Sequence, residues 1–436
     1  MKKKYVRWTL WTIASPFILF IILCILIYLP PIQNFLVDKA AVYASEATGM
    51  NISVGRISLS FPLNLVVTNV DAASPHNDTL LSVRRLQVNV QLLPLLKKQV
   101  EVDGISLQGA TVNSNDLIHG MKLNGTLGEL FISSHGVALD PETAIVNKVL
   151  LKDTDLSLCL NDTAAADTAA SDTAYWKIIL QDIDLQNVSF ALDMPLDSLS
   201  LAASLDNAIL RDGLIDLHKS AYSLQTFRIE NGRVRYDNGK PLAADSLSSG
   251  LDPSHIALTD IGVKLDSLYY GGRNMKAIIS QFVLKERSGV EIVSATGRMV
   301  SNDKVLRVPS LKLETRDSYL ELNAAMDWNA LDFKDEGLVS ARLMADIGKP
   351  DVVRFMGRMD EKFVRQYPSE PLRIRTGIDG DLNKLKLTTL TAELPGALGL
   401  FARGELTHLT DSLLRGGDIT LEAETKDLKF VSTLAE

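Results

Sequence analysis

The residue types that most often carry chemistry are present, but their spacing forms no recognisable site. The six histidines have no metal-ligand spacing, and the sequence contains no glycine-rich phosphate loop, no His-Glu-x-x-His and no Gly-x-Ser-x-Gly. A carbohydrate hydrolase would need two carboxylates converging in a cleft, which a sequence alone leaves open. The pairs Asp153 with Asp155 and Asp182 with Asp184 would instead share the polar side of a strand. We therefore expect no enzyme activity, no cofactor and no metal site.

Three Asp-Thr-Ala triplets repeat every five residues between positions 162 and 174. They resemble the Asp-Ser/Thr-small acceptor motif at which some bacteria O-glycosylate exported proteins, and this resemblance makes Thr163, Thr168 and Thr173 candidate acceptors. The alternative is a plain linker, because residues 161–175 are low in complexity, small and polar, as in a flexible exposed loop.

Composition narrows the class of protein. The chain has 436 residues, enough for two to four ordinary domains or one elongated one. Its 53 acidic and 45 basic residues give a net charge of −8, which argues against a nucleic-acid partner because phosphate binding needs a basic face. Cys24 lies in a long apolar run and Cys159 stands alone outside it, so we expect neither an internal disulfide nor a thiolate metal site.

The first apolar run is long enough to cross a membrane. Residues 8–29 carry no charge and would reach about 33 Å as a helix, against a hydrocarbon core of about 30 Å. Three lysines and an arginine precede the run, so the positive-inside bias keeps the N-terminus in the cytoplasm and exports the rest. A cleaved signal peptide is the alternative, but its apolar region would be shorter, about 7–15 residues. We predict a single-pass anchor with membrane-facing aromatic residues Trp8, Trp11, Phe17, Phe20 and Tyr28.

Beyond the anchor the spacing of apolar residues changes from that of a helix to that of a strand. Residues 31–50 predict an amphipathic helix that ends near Gly49. From Asn51 apolar and polar residues alternate nearly to the end of the chain, as in strands with one apolar face. Asn231-Gly232 predicts a hairpin turn between two such strands. Helical periodicity returns only between Pro350 and Pro368, where a helix should plug or brace the sheet.

These patterns predict a mostly β fold with few short helices. The expected organisation is a cytoplasmic tip and anchor (1–30), an amphipathic helix (31–50), a β-region (51–160), a loop (161–175), a second β-region (176–348), a helical insertion (349–368) and a third β-region (369–436).

A one-sided sheet of this length must hide its apolar face. It can close into a barrel, wind as a solenoid, or pack as a series of β-sandwiches whose inner faces cover each other. It can also form an elongated, curved antiparallel groove whose apolar interior accepts acyl chains, because an exposed apolar surface of this extent implies a partner. For that groove the candidate lining residues are Ile57, Leu59, Phe61, Leu63, Leu65, Leu86, Val88, Val90, Leu92, Leu156, Leu158, Val188, Phe190 and Leu192.

The order of features in the first 110 residues resembles a known family. The basic N-terminus and span lead to a helix ending Ala47-Thr-Gly49-Met-Asn-Ile52. Three extended segments follow: Val54-Gly-Arg-Ile57-Ser-Leu59-Ser-Phe61-Pro-Leu63, Leu86-Gln-Val88-Asn-Val90 and Val102-Asp-Gly-Ile105-Ser-Leu107-Gln-Gly109-Ala. The combination resembles the AsmA-like superfamily and, within it, the N-terminal part of TamB-like inner-membrane proteins of translocation and assembly modules. The later strand repeats agree more loosely.

The resemblance implies a taco-like, repeating β-groove, anchored in the inner membrane of a two-membrane bacterium with the bulk of the chain in the periplasm. It implies a carrier of phospholipid between the membranes, or alternatively a scaffold or tether that helps an outer-membrane barrel of the barrel-assembly family to insert proteins. TamB-like chains are usually much longer and finish with a β-rich domain that meets the barrel. Because the present sequence stops at Glu436 in mid-pattern, contact with such a barrel is the least supported of these expectations.

Overall fold

The computed structural model describes most of the chain from residue 51 onwards. The described residues are 51–60, 64–74, 78–90, 102–114, 120–138, 142–161, 175–239, 250–334, 336–356 and 361–427, with residue 430 and scattered positions between 39 and 50. The anchor over 1–30 lies outside them. Of the expected helix over 31–50, positions 39, 41, 42, 45, 46 and 48 are described and are helical. None of the described helices has the length and apolar character needed to span a bilayer.

The chain divides into two compact units, residues 1–162 and 163–436. In the first unit each strand pairs antiparallel with the next. Its strands are β1 (Asn51–Ser60), β2 (Asn64–Ala73), β3 (Thr79–Val90), β4 (Val102–Asn113), β5 (Met121–Ala138) and β6 (Thr143–Leu160).

The second unit is also an antiparallel meander. Its strands are β7 (Lys177–Met194), β8 (Leu199–Asp216), β9 (Ala221–Leu224), β10 (Thr226–Asp237), β11 (His255–Gly271), β12 (Asn274–Glu286), β13 (Glu291–Ser301), β14 (Val305–Thr315), β15 (Tyr319–Asp327), β16 (Leu338–Ile347), β17 (Leu372–Asp381), β18 (Lys384–Leu394), β19 (Leu398–Thr407) and β20 (Gly416–Thr425). Strands β9 and β10 together occupy one place between β8 and β11, because both pair with both neighbours. The expectation of a mostly β, antiparallel fold with few helices is confirmed.

In the described residues, three short α-helices interrupt the second meander. Helix α1 (Trp328–Leu331) follows β15, and the Asp327 carboxylate accepts a hydrogen bond from the Ala330 N–H at 2.9 Å, which caps the helix N-terminus. Helices α2 (Lys349–Met356) and α3 (Glu361–Gln366) lie between β16 and β17, in the stretch where the sequence shows helical periodicity.

The strands of the first unit share a row of extra residues that do not pair. Asn69, Gly109 and Asp153 have positive φ values of 52°, 60° and 50°. Gly55, Arg84 and Gly128 hold the corresponding positions on β1, β3 and β5, so the row crosses all six strands while the pairing register is kept on either side. Such a bulge residue lengthens a strand without adding a pair, and glycine, asparagine and aspartate tolerate the left-handed backbone.

These bulges reset the alternation of side chains. On β2 the apolar positions are Leu65 and Val67 before Asn69, but Val70 and Ala72 after it. Because the left-handed backbone of Asn69 interrupts the alternation, we assign both pairs to the same face of the sheet. The apolar face therefore continues across the row, although the spacing of apolar residues in the sequence changes from two to three.

The expected hairpin at Asn231-Gly232 is wrong. Strand β10 runs unbroken through both residues, and the register shifts at Gly232 mark a β-bulge. Asn231 has a φ of 53°, and its side-chain amide donates a hydrogen bond to Asp206 on β8. The left-handed residue that favours a tight turn equally favours a bulge, and the long pairing of β10 with β8 and β11 selects the bulge.

Candidate functional site

Apolar side chains of the first unit form two rows that cross all six strands. Residues directly opposite one another in an antiparallel pair share a face and lie about 4.5–5.5 Å apart at Cβ. The first row is Leu59, Leu65, Val88, Ile105, Ile132 and Val149, and the second is Ile57, Val67, Leu86, Leu107, Leu130 and Leu151. We call the sheet face that carries such rows the apolar face of its unit.

Five of the sequence-predicted lining residues lie in these rows, namely Ile57, Leu59, Leu65, Leu86 and Val88. Val90 pairs with Val102 at the end of β3, whereas Leu156 and Leu158 pair with Gly125 and Leu123 beyond the bulge row. In the second unit, Val188, Phe190 and Leu192 pair with Leu205, Ala203 and Leu201. Phe61, Leu63 and Leu92 lie outside the described residues, as do Thr163, Thr168, Thr173 and the aromatic residues of the anchor.

Strict alternation misses the apolar residues on the far side of each bulge. On the far side of the bulge row, four apolar residues lie opposite one another on successive strands: Val70, Val83, Ala110 and Leu127. Apolar residues therefore flank the bulge row on both sides. The sequence marks each bulge by a shift of one residue in the alternation of apolar and polar residues, next to a mid-strand asparagine, aspartate or glycine.

The second unit continues the same design over eight strands, from β13 to β20. One row is Ala295, Leu313, Leu320, Ala345, Ile374, Ala392, Leu400 and Ala423, and the other is Gly297, Leu311, Leu322, Leu343, Thr376, Leu390, Ala402 and Leu421. At about 4.8 Å per strand these rows extend over about 34 Å.

The large side chains in these rows are not buried. Leu311, Leu322, Leu343 and Leu390 are partly exposed, and Ile105 in the first unit is 36% exposed. A second sheet packed on the apolar face would bury such residues, because the inner faces of a sandwich interdigitate. In the part of each unit that the structure describes, the middle of the apolar face is therefore open.

Apolar clusters cover the same face at the two ends of the strands. At one end α1 contributes Ala330 to a cluster with Met326, Val339, Ile378, Leu382, Leu385, Leu406 and Leu409. At the other end, a cluster that we call the aromatic cluster joins Val352 of α2 and Phe363 of α3 to Tyr367, Leu372, Leu394, Ala397, Leu398 and Phe430. Burial in this cluster raises the pKa of the Tyr367 hydroxyl. The open middle of the apolar face therefore lies between two margins that these clusters cover.

Helix α2 is fixed to the sheet by a buried carboxylate. Asp351 is 1% exposed and accepts hydrogen bonds from the Thr315 hydroxyl and, at 2.6 Å, from the Ser318 hydroxyl. The Arg354 guanidinium contacts Asp351 at 3.1 Å and Asp317 at 2.9 Å. Burial opposes its charge, but these two carboxylates hold the pKa of Arg354 above its ordinary value.

The acidic residues singled out in the sequence do not converge in a cleft. Asp182 and Asp184 on β7 both form ion pairs with Arg211 on β8, the latter at 3.0 Å. Asp153 is a bulge residue and Asp155 is exposed. Among the described residues no group of three or more His, Cys, Asp or Glu side chains could hold a metal ion.

No family model matches the chain, and a comparison with curated proteins gives no match. The apolar face and its covered margins are therefore the features from which a function can be inferred.

Proposed function

We propose that the apolar face binds lipid acyl chains and that the protein conducts phospholipid between the inner and outer membranes of a two-membrane bacterium, without catalysing a reaction. The observation that carries this proposal is the pair of mostly apolar rows across β1 to β6 and across β13 to β20, in which the large side chains are not buried.

The physical basis is the transfer of methylene groups from water to an apolar surface, worth about 0.8 kcal/mol for each group fully removed from water. A row that repeats about every 4.8 Å offers an acyl chain a succession of small apolar contacts rather than one enclosed site. Head groups would remain at the margin, in water. The proposal includes curvature of the sheet into a groove, because curvature would increase the contact between an acyl chain and the apolar face.

The proposed location is the inner membrane, with a single span over 1–30 and the rest of the chain in the periplasm. It rests on the uncharged run 8–29 and the basic residues before it. The absence of a sheet covering the middle of the apolar face supports an open groove over the β-sandwich alternative in the described residues.

Native mass spectrometry of the full chain, released from detergent without added lipid, tests this proposal. We expect more than one co-purifying phospholipid in the wild type and fewer in Val88→Asp. Gln87→Asp is the matched control, because it puts the same charge on the neighbouring residue, which faces the opposite side of β3. A folded, monodisperse protein without lipid would contradict the proposal.

A scaffold or tether for assembly of outer-membrane proteins, in contact with a barrel of the barrel-assembly family, is the second candidate. One observation favours it: among the described strands β20 pairs with β19 alone, and an edge of this kind can accept a strand from another protein.

A further inference from the structure

The apolar face of the second unit reaches back to its first strand. From Gly297 on β13, one of its rows continues through Ile279, Leu265, Phe227, Leu210 and Ile183 to β7. These five large side chains are partly exposed, like the leucines further along the row. In the described residues the row therefore runs from β7 to β20.

Two stacked tyrosines lie where this face ends, next to the turn between β11 and β12. Tyr222 on β9 and Tyr270 on β11 lie directly opposite each other, and their ring centroids are 6.2 Å apart. Met275, opposite Tyr270, is four residues before Ile279 on β12, so the alternation places the pair on the apolar face. Tyr222 is 40% exposed and Tyr270 is 47% exposed. We call these two residues the tyrosine pair.

The polar groups at the opposite end of the same strands contact one another. The row at that end is Leu192, Leu201, Tyr236 and Ile256, all partly buried. Beside it the His255 imidazole, 6% exposed, contacts Asp252 at 2.8 Å and Asp237 at 3.6 Å. On later strands the aromatic cluster covers this end, and its Tyr367 is buried. The two margins of the apolar face therefore differ, because the tyrosine pair meets water.

A cation and an indole lie at the same end as the tyrosine pair. Arg273 belongs to the turn between β11 and β12, and its guanidinium carbon lies 5.3 Å from the ring centroid of Trp328. The Trp328 N–H donates a hydrogen bond to the Asn302 carbonyl at 2.6 Å, and Arg273 contacts Asp332 at 3.0 Å. Half of the Arg273 side chain remains exposed. Side chains with one apolar and one hydrated part are typical of the boundary between water and hydrocarbon.

We propose that the tyrosine pair holds the polar–apolar boundary of a bound glycerophospholipid. The two rings would pack on the glycerol and the first methylene groups, and the hydroxyls would donate hydrogen bonds to phosphate or ester oxygens. The acyl chains would then extend along β11 towards Leu268 and Leu265. This inference rests on the proposed function and adds an orientation to it, since every lipid would present its head group at the same margin.

The test uses the full chain in nanodiscs that contain phosphatidylethanolamine with a photoreactive group on either the head group or an acyl chain. Mass spectrometry of the peptides locates the adducts. We expect the head-group probe to label residues around the tyrosine pair at least about tenfold more often than residues around Leu201 and Ile256. The acyl probe should label the row through Leu210 and Phe227.

Removal of the two hydroxyls tests the role of the pair. Tyr222→Phe combined with Tyr270→Phe keeps both rings, and it should reduce labelling by the head-group probe around the pair about tenfold, with acyl labelling within about twofold of the wild type. Tyr269→Phe is the matched control, because Tyr269 is equally exposed but faces the opposite side of β11. It should change neither labelling.

Two results would overturn this inference and leave the proposed function standing. One is acyl labelling of the apolar face with head-group labelling equal at both margins. The other is an unchanged head-group preference in the double phenylalanine variant. If the acyl probe labels no residue of the apolar face in folded protein, the proposed function fails and this inference fails with it.

Discussion

A single carboxylate placed in the middle of the apolar face should block the passage of lipid. Leu322 is partly exposed and lies directly between Leu311 and Leu343 in its row. In Leu322→Asp, an acyl chain crossing the site loses a leucine contact worth about 2 kcal/mol and has to desolvate part of a carboxylate, which costs several kcal/mol when complete. We therefore expect the barrier to rise by about 3–4 kcal/mol.

At about 1.4 kcal/mol for each factor of ten, that barrier corresponds to a decrease of two to three orders of magnitude in the rate of passage. The same substitution should cost the lipid-free protein little stability, because the introduced carboxylate, like the leucine it replaces, would remain in contact with water. The assay is transfer of a labelled phospholipid between inner- and outer-membrane fractions in cells that depend on this protein. Protein level and protease resistance report whether the variant is folded.

Asn323→Asp is the control, because Asn323 is the next residue on β15 and lies on the opposite face, across from Arg342. It should transfer lipid at the wild-type rate. A folded Leu322→Asp protein that transfers lipid within about twofold of the wild type would refute the reasoning that acyl chains travel along these rows.

Four further predictions concern the parts that shape and hold the apolar face. Asp351→Ala should lower the free energy of unfolding by about 3 kcal/mol, because Arg354 and two hydroxyls lose a buried partner, and urea unfolding of the full chain measures it. Asn69→Val should lower the free energy of unfolding by about 1–3 kcal/mol, because a β-branched residue resists the left-handed backbone. Asn69→Gly should change it by no more than about 1 kcal/mol, because glycine tolerates this conformation. Equal effects of the two substitutions would contradict the bulge. The hydrogen bond to His255, followed by that from the Ser254 N–H, lowers the pKa of Asp252 below its ordinary 3.8. Its stabilisation is therefore present above that value and lost as the pH falls through the folded-state pKa, and Asp252→Asn should remove this part of the acid dependence of urea unfolding. If Thr163, Thr168 and Thr173 carry sugars, the intact mass of the native protein exceeds that of the bare chain and falls when all three are alanine; a bare-chain mass excludes the modification.

The sequence predicts the strands well because their signal is local. Alternation such as Leu86, Val88 and Val90 identifies a strand and its apolar face without knowledge of its neighbours, and these residues lie on β3. The helical insertion has an equally local signal in Pro350 and Pro368, and α2 and α3 lie in the stretch that these prolines mark.

The remaining features depend on partners distant in sequence. Asn231-Gly232 has the same local preference in a turn and in a bulge, and only the pairing of β10 with β8 and β11 decides between them. The burial of Asp351 requires Thr315 and Ser318 from the connection between β14 and β15, and the aromatic cluster requires Phe430 to meet Phe363. All ten residues of β20 are exposed, although the alternation in its own sequence predicts a strand with one apolar face.

Site-specific photo-crosslinking in living cells tests the central claim most directly. A photoreactive amino acid at Leu65, Leu322 or Leu390, all on the apolar face, should form adducts with phospholipid. The same residue at Gln87 or Asn323, on the opposite face, should not. Adducts confined to the apolar positions are the predicted result, and equal labelling of both faces, or no lipid adduct at any position in folded protein, would contradict the account.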